Sequence, residues 1–290
     1  MIKMKNKLKR IIAKISGKNY VEDFVRVYPC EKVFNQNGEL VGYTKEHRNN
    51  YLNHTKFYQF ASQFVQKDES LVLDAGCGSG YGAKILKESG ALEVDAFDLS
   101  EHAIEFARNN FSQFANFRIA AITNLKSYGN KKFDLITCSE VLEHIKEYGR
   151  EREALLELKV KLKNQGTLVL GTPNDEMLPN HGFSFNEINS LFKSIFGDDF
   201  LIIENALLPP AQRETLWEER VTKDEIGIRV NQNINFEETV IDPLISSSRC
   251  KNGEEIIDLK RNDISVNFDF LHNTHSWIVI ARKTISNGKN

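Results

Sequence analysis

The sequence predicts an α/β fold in which helices cover both faces of a mostly parallel sheet. Short strand-like segments alternate with helix-like segments from residue 71 to residue 203, and a glycine-rich run directly follows the first strand. Strand–helix alternation of this kind builds a parallel sheet that is buried on both sides. The chain has 290 residues, of which 41% are hydrophobic, so it is long enough to enclose a sizeable core.

Each element is predicted from its local pattern. The run Leu71–Leu73 is apolar throughout and indicates a strand, whereas Thr55–Val65 carries apolar residues at helical spacing. Beyond residue 203 the pattern is mixed until the apolar run Ser276–Ala281 indicates a last strand. In order, the predicted elements are helix 55–65, strand 71–73, helix 81–89, strand 93–97, helix 102–109, strand 117–121, strand 133–138, helix 151–162, strand 167–170, helix 187–196, strand 200–203 and strand 276–281.

Composition narrows the classes of protein. The net charge is −2 and the pI is near 6.4, which argues against a general nucleic-acid-binding protein. The four cysteines lie far apart without a C-x-x-C pair, so we expect a reduced, cytoplasmic setting. No run approaches the roughly 20 apolar residues that a membrane span needs.

The ends of the chain differ from its middle. Residues 1–19 form a basic leader without acidic residues, and this leader has the spacing of a short amphipathic helix. Such a leader is typical either of loose attachment to an anionic membrane surface or of a solvated tail. The remaining segments are a cap or lid at 20–65, the strand–helix core at 66–207, a substrate-side insertion at 208–275 and the last strand and tail at 276–290.

The glycine run "LVLDAGCGSGYGAKIL" (Leu71–Leu86) indicates a ligand site. Ligands of open α/β sheets bind at the carboxyl ends of the strands. Glycines there permit a tight turn and let a ligand approach the backbone, and the following helix offers unpaired N–H groups. We therefore expect the glycines to make room for a cofactor.

Two acidic residues suggest which cofactor this is. Asp74 directly precedes the glycines, where it would pair with an ammonium group and repel a pyrophosphate. Asp98 ends the next predicted strand, a position suited to ribose hydroxyls. A ligand with an amino-acid end, a nucleoside end and no phosphates meets both conditions, and S-adenosylmethionine is such a ligand. The run also fits the dinucleotide pattern G-x-G-x-x-G/A, but Asp74 disfavours that alternative.

Four segments in order resemble the motifs of class I S-adenosylmethionine-dependent methyltransferases: "VLDAGCGSG", "DAFDLSEHAIEFAR", "FDLITCSEVLEHI" and "GTLVLGTPN". The resemblance covers about residues 70–205 and resumes at the last strand. It implies a Rossmann-like sheet of seven strands with the last strand antiparallel. It also implies that methyl transfer is the activity and that S-adenosylmethionine is the cofactor.

The resemblance assigns cofactor contacts to particular positions. Many relatives carry an aspartate after the third strand for the adenine amino group, whereas this chain has Ala121–Ile122, so adenine would rest on backbone and apolar contacts. The implied cofactor residues are Asp74, Ala75, Gly76, Gly78 and Gly80 for the methionine portion, Asp98, Leu99 and Ile122 for ribose and adenine, and Ser139 and Glu140 on the other side.

The segment "SEVLEHI" (Ser139–Ile145) is the candidate for proton transfer. If a helix starts directly after the strand, Glu140, Glu143 and His144 fall on one face. A hydroxyl acceptor needs a general base, and the ordinary pKa of histidine suits that role. His144 is therefore the predicted base, with His181 as a second catalytic candidate.

Other roles for these residues stay open. Two carboxylates and two imidazoles are able to hold a divalent ion. The arrangement resembles that of ubiquinone-pathway O-methyltransferases and of small-RNA 3′-end 2′-O-methyltransferases, in which matching residues bind a metal. The same motif resembles that of metal-free relatives, and in the plainest interpretation His144 only orders a loop.

The acceptor is predicted from the segments outside the shared core. Neither 20–65 nor 208–275 is notably basic, so we expect no DNA partner and an RNA acceptor is disfavoured. The chain resembles bacterial methyltransferases that act on cell-surface glycans or lipid-linked intermediates. The predicted reaction is O-methylation of a small molecule or a sugar, and the alternatives are an RNA 2′-O-methyltransferase and a catalytically silent cofactor-binding subunit.

Overall fold

The computed structural model describes residues 45–175, 181–204, 259–261, 264–266 and 276–284. Helices and strands alternate along most of this length, as the sequence predicts. The helices are α1 (Lys45–Ser62), α2 (Tyr81–Glu88), α3 (Glu101–Phe111), α4 (Leu142–Lys146), α5 (Glu151–Lys161) and α6 (Phe185–Phe196). The strands are β1 (Leu71–Ala75), β2 (Glu93–Asp98), β3 (Asn116–Ile119), β4 (Phe133–Ser139), β5 (Leu162–Pro173), β6 (Phe200–Glu204), β7 (Leu259–Arg261), β8 (Ile264–Val266) and β9 (Ser276–Arg282).

Seven of these strands form one sheet in the order β3-β2-β1-β4-β5-β9-β6. All neighbours pair in parallel except β9, which runs antiparallel to both β5 and β6. The predicted seven-stranded sheet with an antiparallel last strand is confirmed. The chain moves outward from β1 in one direction and from β4 in the other, so the switch point lies between the carboxyl ends of these two strands. Ligands of open α/β sheets bind at such a point.

The core lies on both faces of the sheet. Successive residues of a strand point to opposite faces. Val72 accordingly belongs to the core cluster that includes Phe57 and Phe60 of α1, and Leu73 belongs to the other cluster, which includes Leu155 of α5 and Phe192 of α6. The central strands are therefore apolar on both sides, which explains why β1 reads as a continuous apolar run rather than an alternating one.

Several element bounds differ from the predictions. Helix α1 begins at Lys45, ten residues before the predicted start at residue 55, and β5 extends over Leu162–Pro173. The basic leader, residues 20–44 of the predicted cap and most of the predicted insertion lie outside the described residues. No described helix combines the length and the apolar character that crossing a bilayer requires.

Candidate active site

The glycine loop joins β1 to α2 and lies at the switch point. Gly76, Gly78 and Gly80 have φ angles of 79°, 52° and 89°, in the left-handed region that glycine adopts at little cost. The loop is tied to β2, because the backbone N–H groups of Gly76 and Cys77 donate to the carbonyl oxygen of Phe97 at 2.8 and 2.9 Å. The loop therefore has its turn shape before any ligand binds.

The glycines also make room for protein side chains, which the sequence argument did not anticipate. A Cβ atom at Gly76 would lie 2.3 Å from Cγ2 of Val141, and one at Gly82 would lie 2.0 Å from the ring of Tyr58. A Cβ atom at Gly80 would lie 2.8 Å from the Cβ atom of Ala107. Close packing within the protein thus requires glycine at these three positions, and the predicted contact of the glycines with a cofactor stays a prediction.

Asp74 is fully buried at the end of β1 and has two different oxygens. Its Oδ1 accepts hydrogen bonds from Oη of Tyr58 at 3.0 Å and from Oγ1 of Thr137 at 2.9 Å. No described residue donates to its Oδ2. Burial raises the pKa of Asp74 to about 7, and the two hydroxyl donors oppose that rise. A buried carboxylate oxygen without a donor fits the ammonium group of S-adenosylmethionine.

Asp98 supports the loop as well as facing the predicted ribose position. Its Oδ2 accepts from the backbone N–H of Gly78 and its Oδ1 from that of Ser100, each at 2.9 Å. Leu99 follows it at the carboxyl edge of β2, and Ile122 is buried just after β3. The residues predicted for ribose and adenine thus lie at one edge of the sheet, next to the glycine loop.

Glu140 lies outside the helix in which the sequence argument placed it. Helix α4 begins at Leu142, and Glu140 precedes it with a φ angle of 53°. Its backbone N–H donates to the carbonyl oxygen of Gly171, and its Oε1 accepts from Oγ of Ser276 at 3.2 Å. The expected i, i+3, i+4 relation with Glu143 and His144 is therefore wrong, because the backbone turns between strand and helix.

Glu143 and His144 are nevertheless neighbours. Glu143 is buried, its Oε2 accepts from Oγ1 of Thr172 at 3.0 Å, and its Oε1 lies 3.6 Å from Nε2 of His144. Burial raises the pKa of Glu143 well above its ordinary value, and the charge of Glu140 adds to that rise. Burial likewise raises the pKa of Glu140. The site thus holds two carboxyl groups, one buried and one partly buried, and burial raises the pKa of both above the ordinary range.

His181 lies beside His144, with their ring centroids 6.0 Å apart. The backbone N–H of His181 donates to Oδ1 of Asp175 at 2.9 Å. The residues after His181 are anchored as well. Nζ of Lys146 donates to the Gly182 carbonyl at 2.8 Å, and Nε1 of Trp277 donates to the Phe183 carbonyl at 2.7 Å. The two predicted catalytic histidines are therefore brought together by distant parts of the chain.

The structure does not support the divalent-ion alternative. Within the described ranges, no group of three or more His, Cys, Asp or Glu side chains is arranged to hold a metal ion. The residues that the sequence proposed as ligands thus do not form a coordination set, and the proposed mechanism uses no metal ion.

The sequence argument missed the hydroxyl groups that orient these carboxylates. They come from Tyr58 on α1, Thr137 on β4, Thr172 on β5 and Ser276 on β9. Thr137 lies in a predicted strand, but its place beside Asp74 comes from the pairing of β4 with β1 in the structure. Nothing local marks Tyr58, because its role depends on how α1 packs over the glycine loop.

Comparisons with known proteins agree with this geometry. A family model described as a methyltransferase domain matches residues 45–200, which is more than half of the chain. The chain belongs to that family. Its sheet order and glycine loop are those of the class I S-adenosylmethionine-dependent methyltransferases, as the sequence motifs implied.

Curated relatives of this methyltransferase include ubiquinone biosynthesis O-methyltransferases. The mitochondrial enzyme of Schizosaccharomyces pombe is 36% identical over 111 residues, which are 37% of this chain and 39% of that protein. The enzyme of Xylella fastidiosa strain 9a5c is 34% identical over 118 residues, 40% of this chain and 46% of that protein. The chain thus spans less than half the length of the curated relatives it matches.

Solved structures that are similar to this chain have low sequence identity to it. YcgJ of Bacillus subtilis is 15% identical with a TM-score of 0.48, and the match covers 80% of this chain and 99% of that one. Magnesium protoporphyrin IX methyltransferase of Synechocystis PCC 6803, with bound S-adenosylhomocysteine, is 19% identical with a TM-score of 0.44, covering 55% and 78%.

Proposed function

We propose that this methyltransferase transfers the methyl group of S-adenosylmethionine to a hydroxyl group of a small molecule or of a sugar, in a cell-surface glycan or a lipid-linked intermediate. The observation that carries the proposal is the pair Glu143 and His144, a buried carboxyl group beside a half-exposed imidazole. The pair begins four residues after β4 ends, at the switch point. This is the place where an acceptor would meet the cofactor.

The cofactor would bind along the carboxyl ends of β1 and β2. Asp74 Oδ2 would accept from its ammonium group, Asp98 would accept from the ribose hydroxyls, and Ile122 would contact adenine. When bound, S-adenosylmethionine supplies an electrophilic methyl group, so the protein has to position the acceptor and remove its proton.

His144 would act as the general base. A hydroxyl group is a poor nucleophile until its proton leaves, and a histidine within hydrogen-bond reach takes that proton in the transition state. Glu143 would stabilise the resulting imidazolium from behind, with Thr172 holding its other oxygen. The distance of 3.6 Å between Glu143 and His144 exceeds a hydrogen bond, and catalytic contacts of this kind tighten when substrate binds. His181, which is exposed, would contact the acceptor from the open side.

The charge of the site supports an acceptor without phosphates. Asp74 and Glu143 are buried and Glu140 is partly buried at the carboxyl ends of β1 and β4, and no described lysine or arginine is ion-paired with any of them. A polyanion such as RNA requires clustered cations at its binding surface. A polyhydroxyl acceptor is the better match, and the likeness to glycan-modifying methyltransferases points to sugars.

The first experiment is calorimetric titration with S-adenosylmethionine, repeated with a chelator and with added magnesium or manganese. Saturable binding is expected, and activity on sugar acceptors should not depend on the metal. The variant His144→Ala should lower turnover by about 10²–10⁴-fold while cofactor binding stays unchanged. The matched control is His102→Ala on α3, whose side chain is exposed.

Three outcomes would contradict the proposal. Turnover of His144→Ala within about tenfold of the wild type would remove the general-base role. Strict metal dependence would replace proton transfer by metal chemistry. Cofactor binding without transfer to any hydroxyl acceptor would favour the silent-subunit alternative.

A further inference from the structure

Helix α1 contributes a side chain to the cofactor end of the site. Tyr58, in the last two turns of α1, is buried, and its Oη donates to Oδ1 of Asp74 at 3.0 Å. Thr137 donates to the same oxygen from β4, on the other side, at 2.9 Å. Two donors therefore occupy one oxygen of Asp74, while no described residue donates to the other.

The position of Tyr58 is set by packing as well as by its hydrogen bond. Its ring lies against the backbone of Gly82, where a Cβ atom would come within 2.0 Å of the ring. Its edge-to-face contacts with Tyr81 and Phe57 have ring centroids 5.8 and 5.4 Å apart. A rigid ring held on three sides keeps its hydroxyl group aimed at one place.

We propose that Tyr58 is a positioning residue for S-adenosylmethionine. By saturating Oδ1 together with Thr137, it fixes the rotamer of Asp74 and leaves Oδ2 as the acceptor for the cofactor's ammonium group. It also favours the ionised form of Asp74, which is the form that binds a cation. The inference rests on the cofactor site of the proposed function but not on the acceptor or on methyl transfer.

The electrostatics of the site make this role measurable. Burial raises the pKa of Asp74 to about 7, and the hydrogen bond from Tyr58 opposes the rise, so losing the hydroxyl raises this pKa further. Below that pKa a proton competes with the ammonium group. Tyr58, Tyr128 and Cys138 also face Asp74 from the described elements, and burial raises the pKa of each of them. The charge of Asp98 on β2 adds to the rise in the pKa of Asp74.

The test is calorimetric titration of the full chain with S-adenosylmethionine between pH 5.5 and pH 7.5. The cofactor's own α-amino group loses its proton near pH 8, so higher values are avoided. Tyr58→Phe keeps the ring and removes only the hydroxyl. Because Asp74 in this variant titrates about one pH unit higher, Tyr58→Phe should bind the cofactor about tenfold more weakly than the wild type at pH 5.5, and the deficit should shrink to about threefold at pH 7.5. Thr137→Val should shift the profile in the same direction.

The control is Tyr128→Phe, another buried tyrosine, whose hydroxyl has no hydrogen-bond partner among the described residues. Its profile should match the wild type. If the Tyr58→Phe profile coincides with that of Tyr128→Phe at every pH, the proposal is wrong. Thermal unfolding of each variant checks that the fold is retained.

S-adenosylhomocysteine carries the ammonium group but not the sulfonium, so binding of this ligand shows which of the two charges is affected. The Tyr58→Phe shift should be the same with this ligand, and a shift confined to S-adenosylmethionine would overturn the assignment to the ammonium group. Failure of the proposed function would look different, because normal binding profiles would then accompany an absence of methyl transfer.

Discussion

The two halves of the site differ in how their polar groups are satisfied. In the cofactor half, the loop after β1 has its backbone N–H groups bonded to β2, and both oxygens of Asp98 accept from backbone. In the acceptor half, Glu143 is buried and Glu140 is partly buried, each accepts from one hydroxyl group, and Glu140 has a φ angle of 53°.

This difference indicates which half is rigid and which half handles protons. The loop after β1 is held in place by hydrogen bonds within the protein. Asp74 Oδ2, which has no donor among the described residues, is then the acceptor for a cation at one fixed position. Burial with few donors raises the pKa of both carboxyl groups, as is common for groups that take part in proton transfer. Backbone strain of the kind seen at Glu140 is often found at sites of chemistry.

The largest effect is expected from Asp74→Asn, which would remove the carboxylate that accepts the cation in the cofactor half. The pKa of Asp74 is raised from 3.8 to about 7 in the fold, so the unfolded chain releases this proton first as pH rises. The carboxyl group therefore lowers the stability of the unliganded protein by about 4 kcal/mol as pH rises from below 3.8 to above 7.

Urea unfolding at pH 5 and pH 8 measures this effect. The variant should be more stable than the wild type at pH 8, with the difference shrinking toward pH 5, and its cofactor affinity should fall by roughly 100-fold. A variant that loses stability equally at both pH values would show that Asp74 is structural rather than poised for a cation.

A smaller effect is expected from Glu143→Gln in the acceptor half. The amide keeps an oxygen for Thr172 but removes the carboxylate that would stabilise His144 after proton transfer. Turnover should fall by about 10- to 100-fold with cofactor affinity unchanged. Glu105→Gln on α3 is the matched control, since its side chain is exposed. Equal losses in turnover and in cofactor affinity would mean that the acceptor half and the cofactor half do not function independently.

The smallest effect is expected from Lys146→Met, which would loosen the His181 segment. Nζ of Lys146 donates to the Gly182 carbonyl and to Oε2 of Glu187 at 2.8 and 2.9 Å. Both partners are at least partly exposed, so stability should fall by no more than about 1 kcal/mol. The KM for the acceptor should rise severalfold with little change in kcat, and Lys193→Met serves as control. Unchanged kinetics would remove His181 from the acceptor site.

The sequence predicted most elements within a few residues because their signals are local. Apolar runs and helical spacing identified the seven strands of the sheet and the long core helices, and turn residues identified the glycine loop. The errors fall where the backbone departs from a regular pattern. Glu140 was expected on a helix face but adopts a left-handed conformation before α4, a feature that no side-chain periodicity reports.

The sequence predicted the charged residues of the candidate site but not the hydroxyl groups that donate to them. Asp74, Glu143 and His144 were found because titratable residues at strand ends are recognisable in a sequence. Tyr58 and Ser276 were not found, because a tyrosine on a helix or a serine at a strand start has no distinguishing local pattern. Their roles arise from partners far away in the chain.

By itself, the sequence determined the order of strands and helices, the glycine loop and the acidic residue ahead of it. It did so because apolar periodicity and glycine spacing are properties of neighbouring residues. Only the tertiary structure decided which oxygen of Asp74 stays open and which carboxyl group lies behind His144. Those outcomes depend on packing, since the donors to Asp74 lie 16 and 63 residues away and burial, rather than residue type, sets how tightly each carboxyl group holds its proton.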